Sequence, residues 1–238
     1  MKPNHEWKVL PHGPVEEIDS GILAVVGSIP MPLMVIPRRM TVVRLRGDRL
    51  VIWSAIALDE LGMARIEAYG KPAYLVVPSD HHRLDAAAWK ARYPELQVVA
   101  PSGSRDKTAE VLPVDTTSPD FDDPDVQFAA VPGTRDEEAA LVVRRSGATT
   151  LVLNDIIGNI QHPSGFGGWL LRMMGLAGDE AQVPKAVALL IVKDKASLAA
   201  QLLQWAKLAD LRRIVVSHGD IIEQEPREVL LKLAGSLG

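Results

Sequence analysis

The sequence predicts an α/β protein built as a four-layer αββα sandwich, in which two helix-covered sheets pack face to face. Short apolar, β-branched runs alternate with helix-forming segments along the 238 residues. In addition, the order hairpin, helix, strand, histidine-bearing loop and helix occurs once in each half of the chain. A sheet that is covered by helices on one face must bury its other face as well, and stacking the two sheets satisfies both halves.

The regular elements of the first half follow a hairpin. Residues 41–53 form two β-rich runs that turn at Gly47-Asp48. Leucines and isoleucines at helical spacing, followed by Gly70 as a stop, then predict a helix. We expect this helix over 57–70, a strand over 73–77, a second helix over 84–93 and a further strand over 96–101.

The second half follows the same plan without a repeat at the level of residues. A hairpin over 139–153 turns at Ser146-Gly147, and the later elements are a helix over 195–211, a strand over 213–217 and a final helix over about 225–236. We therefore expect one domain over 1–238. Its predicted parts are an N-terminal half (about 15–101), an acidic surface connection (102–131) and a C-terminal half (about 132–238).

Composition and charge exclude several classes of function. The net charge of −4 does not favour binding to nucleic acid or to an anionic membrane surface. The chain contains no cysteine, so it has neither disulfides nor thiolate metal ligands, which fits a reducing compartment. The most apolar stretch, 21–37, is too short and too rich in proline for a membrane span. A cytoplasmic protein is the expectation.

Both halves end a predicted strand in a histidine-bearing loop. The strand 73–77 runs into "PSDHHRLD", which contains His81 and His82, and the strand 213–217 ends at His218-Gly219-Asp220. Ligand sites of open α/β sheets lie in crevices at the carboxyl ends of strands. Imidazole and carboxylate groups are ligands for zinc or iron. The two loops therefore predict a candidate site at a shared edge.

The order of these segments resembles the metallo-β-lactamase fold superfamily over about residues 15–222. "RLRGDRLVIWSA" stands where that superfamily has a hairpin ending in an Asp-Thr-Gly-like turn, and "YLVVPSDHHRLD" stands where it has His-x-His-x-Asp-His. "AAVPGTRDEEAALVV" is similar to its Pro-Gly-His segment, "TTLVLNDI" to the strand before its bridging Asp, and "RIVVSHGD" to its last strand and histidine. "RMTVVRL", "ELGMARIEAYG", "VVPSDHH" and "RRIVVSHG" more narrowly resemble a subgroup known only as a domain of unknown function.

The resemblance implies a two-metal hydrolytic site, but most of its ligands are replaced here. Thr134 stands at the Pro-Gly-His histidine, and Trp53 replaces an acid in the turn that supports the metal ligands. The first loop has two registers. The favoured one places Ser79, His81, Arg83 and Leu84 at the four ligand positions, and the other places His81, Arg83, Asp85 and Ala86 there. Arginine does not ligate metals, so both registers lose a ligand at Arg83.

What remains is one ligand from each loop: His81 or His82, Asp155 and His218. This set is either vestigial, with no metal bound, or holds a single Zn or Fe ion. By the same resemblance, Asp155, His81 and Arg83 are the candidate catalytic residues. Arg83 would also bind the anionic group of a small-molecule substrate.

The insertion 158–184 contains an apolar helix, over 166–176, between glycine-rich flanks. One reading is a lid or substrate wall, with Trp169 in contact with the ligand. The other is a helix packed on the domain or in a homodimer interface.

Three functions remain open from the sequence. The favoured one is a divergent protein of this fold with a degraded metal site, acting as a ligand-binding or regulatory module. The alternative is a mononuclear metal-dependent hydrolase that acts on a small anionic substrate, and the third is an interaction protein that dimerises through the 166–176 helix.

Overall fold

The structure is a computed structural model that describes residues 3–161, 165–173 and 175–237. Two sheets form the centre of the molecule, and helices cover their outer faces. His162 and Met174, which fall within the insertion 158–184, lie outside the described residues.

The first sheet contains, among the described residues, six strands in the order of the chain. β1 to β4 pair antiparallel, whereas β4, β5 and β6 run parallel. Its strands are β1 (Glu16–Asp19), β2 (Ile22–Pro30), β3 (Val35–Arg44), β4 (Arg49–Trp53), β5 (Lys71–Val76) and β6 (Gln97–Val99). Because β4 and β5 are parallel, their carboxyl ends lie at the same edge of the sheet.

The second sheet has the order β10-β9-β8-β7. β9 and β10 are parallel, and the other neighbours are antiparallel. The strands are β7 (Val126–Ala130), β8 (Ala139–Arg145), β9 (Ala148–Leu153) and β10 (Leu211–Val216). The parallel pair again brings two carboxyl ends together.

The first and the sixth helix begin at local capping signals in the sequence. Asp59 caps the first helix by accepting a hydrogen bond from the Gly62 amide at 2.8 Å, and Asp194 caps the sixth through the Ser197 amide at 3.0 Å. The helices are α1 (Glu60–Tyr69), α2 (Ala86–Arg92), α3 (Arg105–Ala109), α4 (Gly165–Met173), α5 (Lys185–Leu190), α6 (Lys195–Trp205) and α7 (Pro226–Ser236). None of the described helices is long and apolar enough to cross a membrane.

Three apolar cores, formed by described residues, confirm the predicted four layers. One core lies between the sheets and includes Trp53, Val76 and Val152, all of them buried. The other two lie between each sheet and its helices, around Trp89 in the first half and Leu202 in the second. Burial on both faces explains why the strands are apolar along nearly their whole length.

Both predicted hairpins form. The turn of the second hairpin has positive φ angles at Ser146 (50°) and Gly147 (74°), as a tight hairpin turn requires. Several elements were not predicted: the apolar stretch 21–37 forms β2 and the start of β3, the expected connection 102–131 contains α3 and the edge strand β7, and β1 and α5 are additional. Phe121 and Val126 of this segment are buried between the sheets, so part of it belongs to the core.

Candidate metal centre

The candidate site lies where four strands end. Ser54 directly follows β4, and the histidine loop follows β5. One residue separates Asp155 from the end of β9, and one residue separates His218 from the end of β10. Since β4 and β5 are parallel, and β9 and β10 are parallel, each sheet contributes two adjacent strand ends to the site. The convergence of the two histidine loops that the sequence predicts is therefore present in the structure.

Two imidazoles meet one carboxylate at the centre of the site. Nε2 of His82 and Nε2 of His218 each lie 3.1 Å from Oδ1 of Asp155. The ring centroids of the two histidines are 5.2 Å apart. Among the described residues this is the one group of three or more His, Cys, Asp or Glu side chains whose ligand atoms come within 4.8 Å of one another.

Hydrogen bonds fix the opposite nitrogen of each imidazole ring. Nδ1 of His218 donates to the Pro37 carbonyl at 2.6 Å, and Nδ1 of His82 lies 2.7 Å from the Ser54 hydroxyl. Such outer hydrogen bonds orient metal-binding histidines and select the tautomer in which Nε2 is the ligand. Ser54 reaches this position with a positive φ of 54°, a strained conformation for a residue other than glycine.

The charges of the three residues are coupled through short contacts. Burial alone would raise the pKa of Asp155, but the charge of His82 and the hydrogen bonds from both histidines hold that pKa well below its usual range. Burial likewise lowers the pKa of His218, but the hydrogen bond and charge of Asp155 outweigh it, and the pKa is raised overall. Because the Pro37 carbonyl can only accept, a His218 ring that also donates to Asp155 carries a proton on both nitrogens.

The donor set fits a single divalent metal ion. Two imidazoles and one carboxylate are a ligand combination of zinc sites and of non-haem iron(II) sites. Ligand atoms at about 2.0–2.2 Å from one metal lie about 2.8–3.6 Å apart in octahedral or tetrahedral geometry. The separation of 3.1 Å between each Nε2 and the Asp155 oxygen falls in that range.

A buried hydrogen-bonded network occupies the region behind Asp155. The amide of Asn154 donates to Ser79 at 3.1 Å and to Glu138 at 3.0 Å, and Ser217 donates to the Asn154 carbonyl oxygen at 2.9 Å. Burial, followed by the charge of Asp155, raises the pKa of Glu138 well above its usual range. Thr134, at the position of the Pro-Gly-His histidine, is also buried and donates to the Val131 carbonyl at 2.7 Å. These side chains are hydrogen-bonded to one another and to the backbone.

A cavity of about 380 Å³ opens onto the three-residue cluster. Its polar lining includes His82, Asp155, His218, Ser54 and Arg38, and the lining as a whole is largely apolar. The insertion and the helix α5 that follows it contribute apolar residues: Ile160, Leu176, Pro184, Ala186, Val187 and Leu190. A concave, mainly apolar pocket with a few convergent polar groups is the usual form of a small-molecule site.

Comparisons with known proteins identify the fold. The sequence matches no protein-family model and no curated protein. Solved structures do match: the metallo-β-lactamase FIM-1 of Pseudomonas aeruginosa in its mono-zinc form superposes with a TM-score of 0.61 at 16% identity, covering 96% of this chain and 97% of that one. A metallo-β-lactamase of Erythrobacter litoralis superposes with a TM-score of 0.63 at 14% identity, covering 93% of this chain and 96% of that one.

This chain has the metallo-β-lactamase fold. A third structure, a metallo-β-lactamase of Hirschia baltica, gives the same result with a TM-score of 0.61 at 12% identity, covering 93% of this chain and 98% of that one. Identities this low show the fold, and the site has to be argued from its own residues.

In this chain His82, and not His81, lies beside Asp155 and His218. A turn after Pro78 is the reason: the His82 amide donates to the Ser79 carbonyl at 3.1 Å, and the His81 amide lies 3.3 Å from the Ser79 hydroxyl. The side chain of His81 is 62% exposed and pairs with Asp80 at 3.6 Å. The structure thus favours the alternative histidine over the one that strand-end spacing favours.

The other predicted site residues lie around the cluster rather than in it. Arg83 lines the cavity, but its guanidinium donates to the Lys107 carbonyl and pairs with Glu110 at 3.3 Å. Trp169 stacks on Phe166 with ring centroids 5.6 Å apart, is 53% exposed, and is absent from the cavity lining formed by the described residues. Asp85 is fully buried, is not part of the three-residue cluster, and pairs with Arg38 at 2.7 Å. Roles for Arg83 and Trp169 in substrate binding stay predictions.

Sequence reasoning missed the part of β3 that builds one side of the site. Pro37 orients His218, Arg38 lines the cavity, and Arg39 donates to the carbonyls of Val216 at 3.1 Å and Gly219 at 2.6 Å, which fixes the loop that carries His218. Both arginines are buried. The burial of both arginines could have been predicted. Successive residues of a strand point to opposite faces of the sheet, and in a four-layer sandwich both faces are covered.

Proposed function

We propose that this chain binds one divalent metal ion through His82, Asp155 and His218 and acts as a mononuclear metal-dependent hydrolase on a small anionic substrate. The observation that carries the proposal is the convergence of both Nε2 atoms on one Asp155 oxygen at the mouth of the cavity. A zinc or iron(II) ion bound there would supply a Lewis acid that polarises the scissile group and activates water.

The chain's own residues perform the remaining tasks. Ser54 and Pro37 hold the imidazoles in orientation through their Nδ1 atoms. Asp155 keeps a negative charge, because its pKa is held low by the two histidines, and it offers that charge to a cation. The apolar walls from α5 and the insertion exclude water from the substrate side of the site.

A ligand-binding module without catalysis is the second candidate. Ser79 and Thr134 favour it, because by the resemblance they stand at ligand positions of a two-metal hydrolytic site, and in the structure Ser79 accepts a hydrogen bond from Asn154 while Thr134 donates to the Val131 carbonyl. The large apolar cavity supports either function.

Zinc binding to the purified chain tests the proposal. After treatment with chelator and dialysis, the protein is titrated with zinc, and bound metal is counted by native mass spectrometry. We expect one zinc per chain, no stoichiometric zinc in His82→Ala or His218→Ala, and full loading in the matched control His81→Ala.

Activity separates the two candidates. The zinc- and iron-loaded proteins are assayed against ester, lactone and phosphoester substrates, with His82→Ala as the blank. Turnover that requires His82 supports the hydrolase. Stoichiometric metal without turnover on any of these substrates leaves the ligand-binding module, whereas equal zinc binding by His82→Ala and wild type contradicts the metal site itself.

A further inference from the structure

We propose that the cavity binds a small molecule with an apolar body and one anionic group, a carboxylate or a phosphate, and that Arg38 holds the anionic group. The inference rests on the proposed function in that it names the substrate class of the same cavity. It assigns the anion-binding role to an arginine of β3 rather than to the arginine of the histidine loop.

Arg38 offers a pair of hydrogen-bond donors that nothing else in the described chain uses. The residue is 5% exposed and lines the cavity, yet its Nε and Nη2 atoms are buried without a hydrogen-bond partner among the described residues. Nε–H and one Nη2–H lie on the same edge of a guanidinium group and point in parallel. That edge matches the two oxygens of a carboxylate or phosphate.

Buried donors without partners are rare because they cost free energy that water or a ligand would recover. The other side of the Arg38 guanidinium is satisfied, since Nη1 lies 2.7 Å from Oδ2 of Asp85. Asp85 is itself held by the Ala57 amide at 3.2 Å and by the Asn4 side chain at 2.7 Å. The ion pair therefore fixes the orientation of the guanidinium and leaves the Nε–Nη2 edge without a hydrogen-bond partner among the described residues.

Gly27 of β2 pairs with Arg38, and a Cβ atom built on Gly27 would lie 3.1 Å from Cδ1 of Ile56 and 3.6 Å from Nε of Arg38. The absence of a side chain at Gly27 therefore lets Arg38 and Ile56 pack close to β2.

Arg83 is the less suitable anchor. Its side chain is 23% exposed, pairs with Glu110 and donates to the Lys107 carbonyl, so an anion there would compete with protein partners and with water. At Arg38 the anion would instead meet pre-oriented, desolvated donors.

The apolar part of the ligand follows from the walls of the cavity. Ile29 and Ile36, which pair across β2 and β3, lie two residues along each strand from the Gly27–Arg38 pair. Facing residues of the insertion and α5, such as Leu176 and Val187, complete an apolar channel. An amphiphilic anion would thus place its charged group at Arg38 and its hydrocarbon body against these walls.

Calorimetric titration of the chelator-treated protein tests the inference with three probes: octanoate, octyl phosphate and 1-octanol. We expect octanoate or octyl phosphate to bind once per chain, at least about tenfold more tightly than 1-octanol, which corresponds to about 1.4 kcal/mol. The tighter of the two anions identifies the carboxylate or the phosphate as the preferred group.

Two variants of the anchor guard against a loss of folding. Arg38→Lys keeps a cation opposite Asp85 but removes the two-donor edge, and the double variant Arg38→Gln with Asp85→Asn removes both charges together. Each should weaken binding of the anion about tenfold and leave 1-octanol binding unchanged. Arg44→Lys, on the same strand and stacked over Tyr69 at 4.7 Å, is the matched control and should bind like wild type.

Equal affinities of the wild-type protein for the anions and for 1-octanol, or no binding of any probe, would overturn the inference. Wild-type anion affinity in both Arg38 variants, or loss of anion binding only in Arg83→Lys, would overturn it as well. His82→Ala separates this failure from failure of the proposed function. It should lose zinc and still bind the anion in the presence of chelator. Zinc loading without anion binding would refute the anchor and leave the metal site standing.

Discussion

Replacing Ser54 with alanine removes the hydroxyl that lies 2.7 Å from Nδ1 of His82 and changes no other group at the site. The side chain of His82 is only 8% exposed, so water has little access to replace the lost partner. Loss of an outer hydrogen bond to a metal-binding histidine typically weakens metal affinity about 10–100-fold, or about 1.4–2.8 kcal/mol. We expect Ser54→Ala to bind zinc more weakly by that amount.

Competition with a chromogenic zinc chelator at fixed pH measures this change directly. Ser118→Ala, at an exposed serine far along the chain from the site, is the matched control and should retain wild-type affinity. A zinc affinity of Ser54→Ala within twofold of wild type would refute the claim that Ser54 orients a metal ligand.

Ser54→Gly separates orientation from backbone strain. Glycine adopts the φ of 54° at position 54 without the cost of about 1 kcal/mol or more that other residues incur there. The metal-free glycine variant should therefore unfold at higher urea concentration than Ser54→Ala, while both lose zinc affinity to the same extent. If the two variants differ in zinc affinity by more than about tenfold, the backbone and not the hydroxyl controls the site.

Two further predictions concern protons. The pKa of His218 is raised, and the metal requires its unprotonated Nε2, so zinc affinity should fall as pH decreases through that pKa. Calorimetry in buffers of different ionisation enthalpy should show proton release on zinc binding. A zinc affinity that does not vary with pH would contradict this link between His218 protonation and metal binding. The pKa of Glu138 is raised by burial, so its folded form holds a proton more tightly than the unfolded form, and its contribution to stability declines as pH rises above the unfolded value of about 4.3. Glu138→Gln should remove this decline. Urea unfolding from pH 4 upward should therefore show the variant gaining stability relative to wild type. If the free energies of unfolding of the two proteins change in parallel with pH, Glu138 does not titrate in this way.

Most of the fold could be predicted from the sequence because its periodic signals are local. The hairpins over 41–53 and 139–153 carry turn residues at the correct positions, and α1, α6 and α7 have apolar residues at helical spacing. β7 escaped prediction because it is short and lies within an acidic, proline-rich segment. Its strand character depends on pairing with β8, which local sequence does not encode.

The site could be located from the sequence but not resolved to individual side chains. The resemblance pointed to Asp155 and the end of the strand 213–217 pointed to His218, and the structure brings these two side chains together at the edge of the sheets. Spacing from β5 favoured His81, and the turn at Ser79 brings in His82 instead. Arg38 was not predicted, since its role depends on the distant contact with Asp85.

X-ray diffraction at the zinc absorption edge, on crystals of the zinc-loaded protein, tests the central claim most directly. The account predicts one anomalous peak, between Nε2 of His82, Nε2 of His218 and the carboxylate of Asp155. Two peaks, or a single peak beside Ser79 and Thr134, or no peak near these three side chains, would contradict it.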